Sequence, residues 1–450
     1  VQLVWFRKDL RIYDNPALFH ACQHGPVTAV YFVTPKQWQT HHLASIQADF
    51  IEANLNSLRQ SLAQLGIALL VEEVADFKAI PARLQVLAEL YQVQVIHANS
   101  EPEINERQRD NAVLNCGLPL HLYQGDCILD PGSVLSKQGK MFKVFSAFRN
   151  AWMAQVKMRD ITPLARPKAV GKAVNAKALT IAYPKISSAA FPGSESQARQ
   201  RLAEFIGNDI AGYAQQRDIP ALDATSRLSA YLALGVISAK ACVYQVLQAF
   251  PYALDEKNSG PYIWINEIVW REFYRHLLIA RPQLCTGKNY NPMADGIVWD
   301  NNRAHFARWC QGKTGYGLVD AAMRQLNTTG WMHNRLRMLT ASFLTKHLLI
   351  DWRWGEAYFM RHLIDGDFAS NNGGWQWAAS TGCDAQPYFR IFNPILQSQK
   401  FDPQGKFIRK YVKERLGDDD KKIHLPVDGI VEHRQARGKA LVRFSVLKKG

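Results

Sequence analysis

Through roughly the first 125 residues, β-type apolar runs take turns with amphipathic helical runs, and this alternation constrains the fold more than any other feature. Strand candidates occupy 3–6, 27–33, 67–74, 93–99 and 118–123, with helical candidates at 46–65, 77–91 and 104–114. Parallel strands need a long return path, and a helix supplies it. The pattern therefore predicts an α/β domain built on a doubly wound parallel sheet with right-handed crossovers. No G-x-G-x-x-G follows the first strand, so the usual dinucleotide fingerprint is absent.

At 450 residues the chain has room for two or three domains. The alternation loosens over 131–193, where prolines and small residues appear without a sustained period. That stretch reads as a long connection between domains. From Ser194 onward helical periodicity takes over, which predicts a second, mostly α domain. The expected boundaries are thus 1–130, 131–193 and 194–450. No internal repeat or low-complexity tract is present, and the run GDDDKK (417–422) reads as a solvated loop.

No apolar run approaches the ~20 residues needed to cross a bilayer. The opening VQLVWFRKDLR reads as a strand followed by charges rather than a signal peptide, and a start residue or more is expected ahead of Val1. The cysteines (Cys22, Cys116, Cys127, Cys242, Cys285, Cys310, Cys383) are odd in number and form no C-x-x-C. The expectation is a reduced, cytoplasmic protein with no metal site.

A formal charge of +15 draws polyanions to the surface, which fits either a nucleic-acid binder or a generally basic enzyme. Tryptophan placement tilts that balance. Nine of the 12 tryptophans fall between Trp264 and Trp377, among many arginines. Flat aromatics interleaved with cations suit a protein that holds an unstacked base.

Four stretches could carry chemistry. The run IDGDFASNNGGWQWAASTG (364–382) sets two carboxylates and two adjacent amides beside a W-x-W pair. It fits a helix–loop junction with core tryptophans, or a pocket for a flat, hydrogen-bonding ligand. In WINEIVWREFYRHL (264–277), helical spacing puts Trp264, Glu267, Trp270, Arg271 and Tyr274 on one stripe. That stripe reads as a braced ion pair or as a cavity wall with a poised carboxylate. In TGWMHNRLRMLTASFLTKHLLIDWRW (329–354), Asn334, Arg337, Met338 and Ala341 share a helical face. Asn334 offers both donor and acceptor, the valence that reads a pyrimidine edge, while Met338 is core or lies against a ring. The TSRLS at 225–229 is a plain helix cap or a phosphate cradle, with Arg217 nearby.

Together these stretches resemble the photolyase/cryptochrome family along nearly the whole chain, most of all the class I cyclobutane pyrimidine dimer DNA photolyases of bacteria. The resemblance rests on VWFRKDLRIYDNPAL (4–18), TSRLSAYLALGVIS (225–238), the two helical stretches just described, and IDGDFASNNGGWQWAASTG followed by DAQPYFRIFNP (384–394), in that order. It implies a Rossmann-like N-terminal domain and a large all-α C-terminal domain holding FAD. It implies a light-dependent carbon–carbon lyase, in which reduced FAD passes an electron to a thymine dimer flipped out of DNA. Photolyases are a standard example of base flipping, so that step comes with the family and not from the residues.

The resemblance also assigns residues. Flavin contacts would be Tyr213, Thr225, Ser226, Arg227, Leu228, Ser229, Trp264, Asn334, Arg337, Asp365, Asp367 and Asn371. Arg337 would pair with Asp365, Asp367 would face the flavin edge, and Asn371 would sit by its N5. The lesion would meet Glu267, Trp270, Asn334, Met338 and Trp377, with Glu267 steadying the dimer's negative charge. Arg217, Arg271, Arg335 and Lys400 would serve the DNA. An electron relay would run from Trp375 through Trp352 to Trp299 at the surface. An antenna, 5,10-methenyltetrahydrofolate, would use His41, Asn105, Glu106 and Cys285. Thr286 departs from the Lys that relatives often carry there, with Lys288 as a substitute, so 8-hydroxy-5-deazaflavin or an empty pocket stays open. The implied partner is UV-damaged duplex DNA, bound by a monomer without a membrane.

Other members of the same family differ at the same places. A signalling cryptochrome is disfavoured by Asn371, Glu267 and Met338 together. A (6-4) photolyase is expected to carry His where Met338 stands, and a DASH-type relative is disfavoured by the pair Trp270 and Trp377. A light-independent flavoprotein fits least.

Overall fold

The computed structural model describes residues 1–449. The chain divides into two compact units: Val1–Ala214 with Ser226–Cys285, and Gln215–Thr225 with the chain from Thr286 onward.

In the first unit five strands pair in parallel: β1 (Gln2–Phe6), β2 (Val27–Val33), β3 (Ala68–Glu73), β4 (Val95–Asn99) and β5 (Leu120–Tyr123). Their spatial order is β3-β2-β1-β4-β5, with Gln2 opposite both Val27 and Val95. Central β1 is buried along its whole length, as a strand covered on both faces must be. Leu3, Trp5, Val30, Phe32 and Ile96 meet Ile80, Leu84 and Val113 in one apolar core. Helices Ser45–Gln64, Ile80–Leu90 and Ile104–Asn115 make the returns, the second preceded by a 3₁₀ turn, Phe77–Ala79.

Two departures from the expected organisation concern this unit. Helix Phe145–Lys157 lies inside 131–193, and buries Phe145, Phe148, Trp152, Met153 and Val156. Its apolar period is real, but lysines and loop residues on either side hide it. Helix Gly260–Ala280 also belongs here, although it follows residue 194. Its buried polar face explains why. Glu272 accepts the N–H groups of Ile128 and Leu129, and the Trp152 indole Nε1–H at 2.6 Å. His276 accepts the Gly132 N–H at 3.0 Å. Ser259 caps this helix and Pro261 opens its first turn.

The second unit is helical. Trp309, Leu318, Met323, Leu336, Phe343, Leu344, Trp352, Phe359 and Trp375 form its core. Helix Asn334–Ser342 runs directly into a π turn, Phe343–His347. Among the described residues no helix is long and apolar enough to cross a membrane, and no group of three metal-ligating side chains is gathered.

Candidate active site

In the second unit, chain reversal at Gly330 does the first work. Helix Gly317–Thr329 ends there in the left-handed region, at φ +67°, where glycine carries no penalty. The Ile364 N–H bonds the Gly330 carbonyl at 2.7 Å, which brings the next residue, Asp365, beside helix Asn334–Ser342. Arg337 Nη2 meets Asp365 Oδ2 at 2.7 Å, while Arg337 Nε holds the Met332 carbonyl at 2.8 Å. The other Asp365 oxygen, Oδ1, is buried with no hydrogen-bond partner in the chain. A buried acceptor of this kind calls for a donor from a ligand.

Asp367 caps helix Phe368–Ala378 by accepting the Ser370 N–H. On that helix, Asn371 Nδ2 donates to the Glu356 carbonyl at 3.0 Å. Asn372 Nδ2 donates to the Glu356 carboxyl at 2.8 Å, and Gln376 Nε2 donates to Asn372 Oδ1 at 3.0 Å. Burial pushes the Glu356 carboxyl up to about 7, against the pull of the Asn372 hydrogen bond.

The three tryptophans of the expected relay all lie in this unit. Trp375 packs against Phe359 at 4.9 Å and Trp309 at 6.1 Å, and its Nε1 has no partner in the chain. Gly355 makes room for it: a Cβ there would fall 2.0 Å from the indole ring. Trp352 is fully buried and donates Nε1–H to Asn289 at 2.9 Å. Trp299 is half-buried, edge-on to Phe444. Asn334 is exposed, while Met338 and Trp377 are half-buried. Arg335 does not stand alone: it forks on to Asp218 and lies over the Phe401 ring. Lys400 is exposed above the same ring, and Arg217 lies beside Asp218.

The first unit holds the remaining candidates. Tyr213 and Trp264 both pack on Phe205, and the Trp264 indole donates to Ser226 Oγ at 3.2 Å. Arg201 holds the Ser226 carbonyl, and Arg227 takes a left-handed φ of +50°. The helix that TSRLS opens is short, Ser229–Ala233. Leu228 is buried and Ser229 exposed, and Thr225 closes the first segment of the second unit. Trp270 stacks face to face on Phe145, centroids 3.6 Å apart. Glu267 lies one turn before it, half-buried. Arg271 is paired within its own unit. Its guanidinium binds the Asp126 carboxylate and carbonyl, because that acid supplies a partner from outside the helix.

The antenna candidates gather as well. Asn105 Nδ2 lies 3.1 Å from His41 Nε2, and Gln37 lies on the same nitrogen at 2.8 Å. Burial and nearby Lys8 lower His41 to about 4. The Glu106 carboxyl is raised by burial and held back by Lys8, whose Nζ is 4.0 Å away. Burial pushes the Cys285 thiol up to about 11. Lys288 lies in the second unit, exposed.

Several members of these clusters were not singled out from sequence: Lys8, Asp126, Phe145, Asp218, Glu356 and Phe401. Only Lys8 had a usable signal, since it lies two residues past the first strand, at the end where parallel sheets bind ligands.

Known proteins resemble this chain in sequence and fold. Residues 2–168 match the family model described as DNA photolyase, and 264–444 match the FAD binding domain of DNA photolyase. Over its whole length the chain is 44% identical to a deoxyribodipyrimidine photo-lyase of Vibrio cholerae, all of which is covered. It is 46% identical, again over its whole length, to that of Escherichia coli, of which 99% is covered. Among solved structures it is similar to a bacterial class III photolyase from Agrobacterium tumefaciens. That match has a TM-score of 0.86 at 34% identity, covering 100% of this chain and 98% of the other. The chain belongs to the DNA photolyase family. The residues present fit the FAD that its C-terminal family model implies, since Asp365 Oδ1 is buried without a hydrogen-bond partner in the chain.

Proposed function

We propose that the chain repairs cyclobutane pyrimidine dimers in DNA, driven by light and using FAD. The observation that carries this is identity of 44–46% along the entire chain to deoxyribodipyrimidine photo-lyases. Bound FAD supplies light absorption and the single electron that opens the dimer. The chain's own residues do the rest. Arg337, which pairs with Asp365, would hold the flavin together with Asp365, Asp367 and Asn371. Tyr213, Thr225, Ser226, Arg227, Leu228, Ser229, Trp264 and Asn334 would complete its contacts. Trp375 and Trp352, both buried, and half-buried Trp299 form an indole relay.

For the lesion, Trp270 would stack on one face of the dimer, because Phe145 covers the other side of its ring. Trp377 and Met338 would supply further apolar contact. Glu267 and Asn334 would hydrogen-bond the pyrimidine edges, and Glu267 would steady the charge that develops there. Arg217, Arg335 and Lys400 would meet phosphates. The antenna favoured by the cluster is the folate: Glu106 accepts pterin N–H groups, and Lys8 steadies its carboxylate. The chain would act as a monomer on duplex DNA in the bacterial cytoplasm.

Purified protein should contain FAD and split dimers in a defined duplex only under illumination. A second absorption band should report the antenna. Equal repair in darkness would overturn the proposal.

A further inference from the structure

Arg335 is held from two directions inside the second unit. Its Nε donates to Asp218 Oδ1 at 3.2 Å and its Nη2 to Asp218 Oδ2 at 2.6 Å, a two-pronged fork. Its guanidinium carbon lies 4.5 Å from the centre of the Phe401 ring. Phe401 is itself buried, so the surface beneath the guanidinium is fixed. Below, His333 Nδ1 accepts the Arg335 backbone N–H at 3.2 Å and anchors the first turn of helix Asn334–Ser342. Yet the Arg335 side chain keeps 21% exposure and that of Asp218 36%. The pair is therefore not closed off from solvent.

We propose that Asp218 and Phe401 are positioning residues, which orient Arg335 so that its outer N–H groups grip a DNA phosphate. This rests on the DNA-repair reading above. A guanidinium carries five N–H donors, and the fork with Asp218 uses two of them. The donors left are on Nη1 and Nη2, in a guanidinium that Asp218 and the Phe401 ring hold in place. Arginine is strong toward phosphate when its planar fork is already aligned, because little side-chain freedom is then lost on binding. Asp218 does not cancel the site. Lys400 adds a further cation over the same Phe401 ring.

The test turns on a sign. Asp218→Asn removes a negative charge close to where DNA would lie, so charge counting alone demands tighter binding. Positioning demands weaker binding. Affinity for a UV-irradiated duplex is measured in the dark over a salt series, for wild type, Asp218→Asn, Arg335→Ala and the double variant. The expected result is a loss of about threefold or more in Asp218→Asn. Its salt slope should be shallower by up to about 0.9, in step with Arg335→Ala. In the Arg335→Ala background the same change should tighten binding, because no guanidinium is left to orient. Tighter or unchanged binding by the single variant, with an unaltered salt slope, would overturn the proposal. Should Asp218→Asn fail to fold, Phe401→Leu keeps the ion pair and carries the test. A shallower slope supports positioning and an unchanged slope overturns it. Wild-type protein that does not prefer irradiated DNA would defeat the repair reading itself, a different outcome from any of these.

Discussion

Trp270 offers one face of its ring. The other lies on Phe145, nearly parallel at 7°, while Phe273 and Tyr274 pack around it. A flat ring braced from behind makes a stable platform for a base, and base–aromatic stacking is worth about 1–3 kcal/mol per base. Trp270→Ala should therefore cut the preference for irradiated over intact duplex by roughly that amount, with little change for intact DNA. Phe145→Ala should move the preference in the same direction but less, since the platform stays and only its brace goes. Both are read by equilibrium binding in the dark, and an unchanged preference in Trp270→Ala would remove it from the lesion pocket. The indole was legible in the sequence because it shares a helical stripe with Trp264 and Glu267. Its brace was not, because Phe145 comes from a distant helix and nothing local links the two. Arg271 shows the same limit. The stripe suggested Glu267 as its partner, and the fold supplied Asp126 from a loop far upstream.

Helix Gly260–Ala280 has a second polar face, on which Glu272 is fully buried. Desolvation raises its carboxyl from 4.5 to about 7, against the hydrogen bonds from Ile128, Trp152 and Leu129. The folded protein thus holds a proton there that the unfolded chain releases in this interval. The stability tied to that proton is fully present below about 4.5 and is lost as the pH rises through about 7. Glu272→Gln should destabilise the fold, because its amide N–H₂ would face backbone and indole donors that need an acceptor. The gap between wild type and variant should then narrow with rising pH, by up to about 1.4 kcal/mol per pH unit. Urea unfolding of both proteins across the interval measures that difference, and other titrating groups such as His276 largely cancel from it. A gap that stays constant or widens would show that Glu272 is ionised throughout. This face escaped detection in sequence because its partners are mainly backbone N–H groups, which leave no mark in a side-chain pattern. The strands were legible because burial on both faces imposes continuous apolar runs.

For the whole chain, a charge of +15 and a few aromatic side chains divide the labour of recognition. The charge was plain from composition. The division into units was not, because helix Gly260–Ala280 reads as part of a helical domain while its buried face binds residues 126–132. Charge and stacking respond differently to salt, and that difference can be measured. Contacts to phosphates release counterions from any duplex, damaged or intact, so both affinities should fall steeply as salt rises, with a slope near −0.9 per phosphate contacted. Under the proposed function, stacking on aromatic rings such as Trp270 and hydrogen bonds to the pyrimidine edges would release few ions and would act only on a flipped dimer. The ratio of damaged to intact affinity should therefore change far less than either affinity alone. Dark binding of irradiated and unirradiated versions of one duplex, at low and at physiological salt, tests this. If the ratio collapsed in parallel with the affinities, lesion recognition would be electrostatic. The aromatic pocket would then lose its role as the discriminating element.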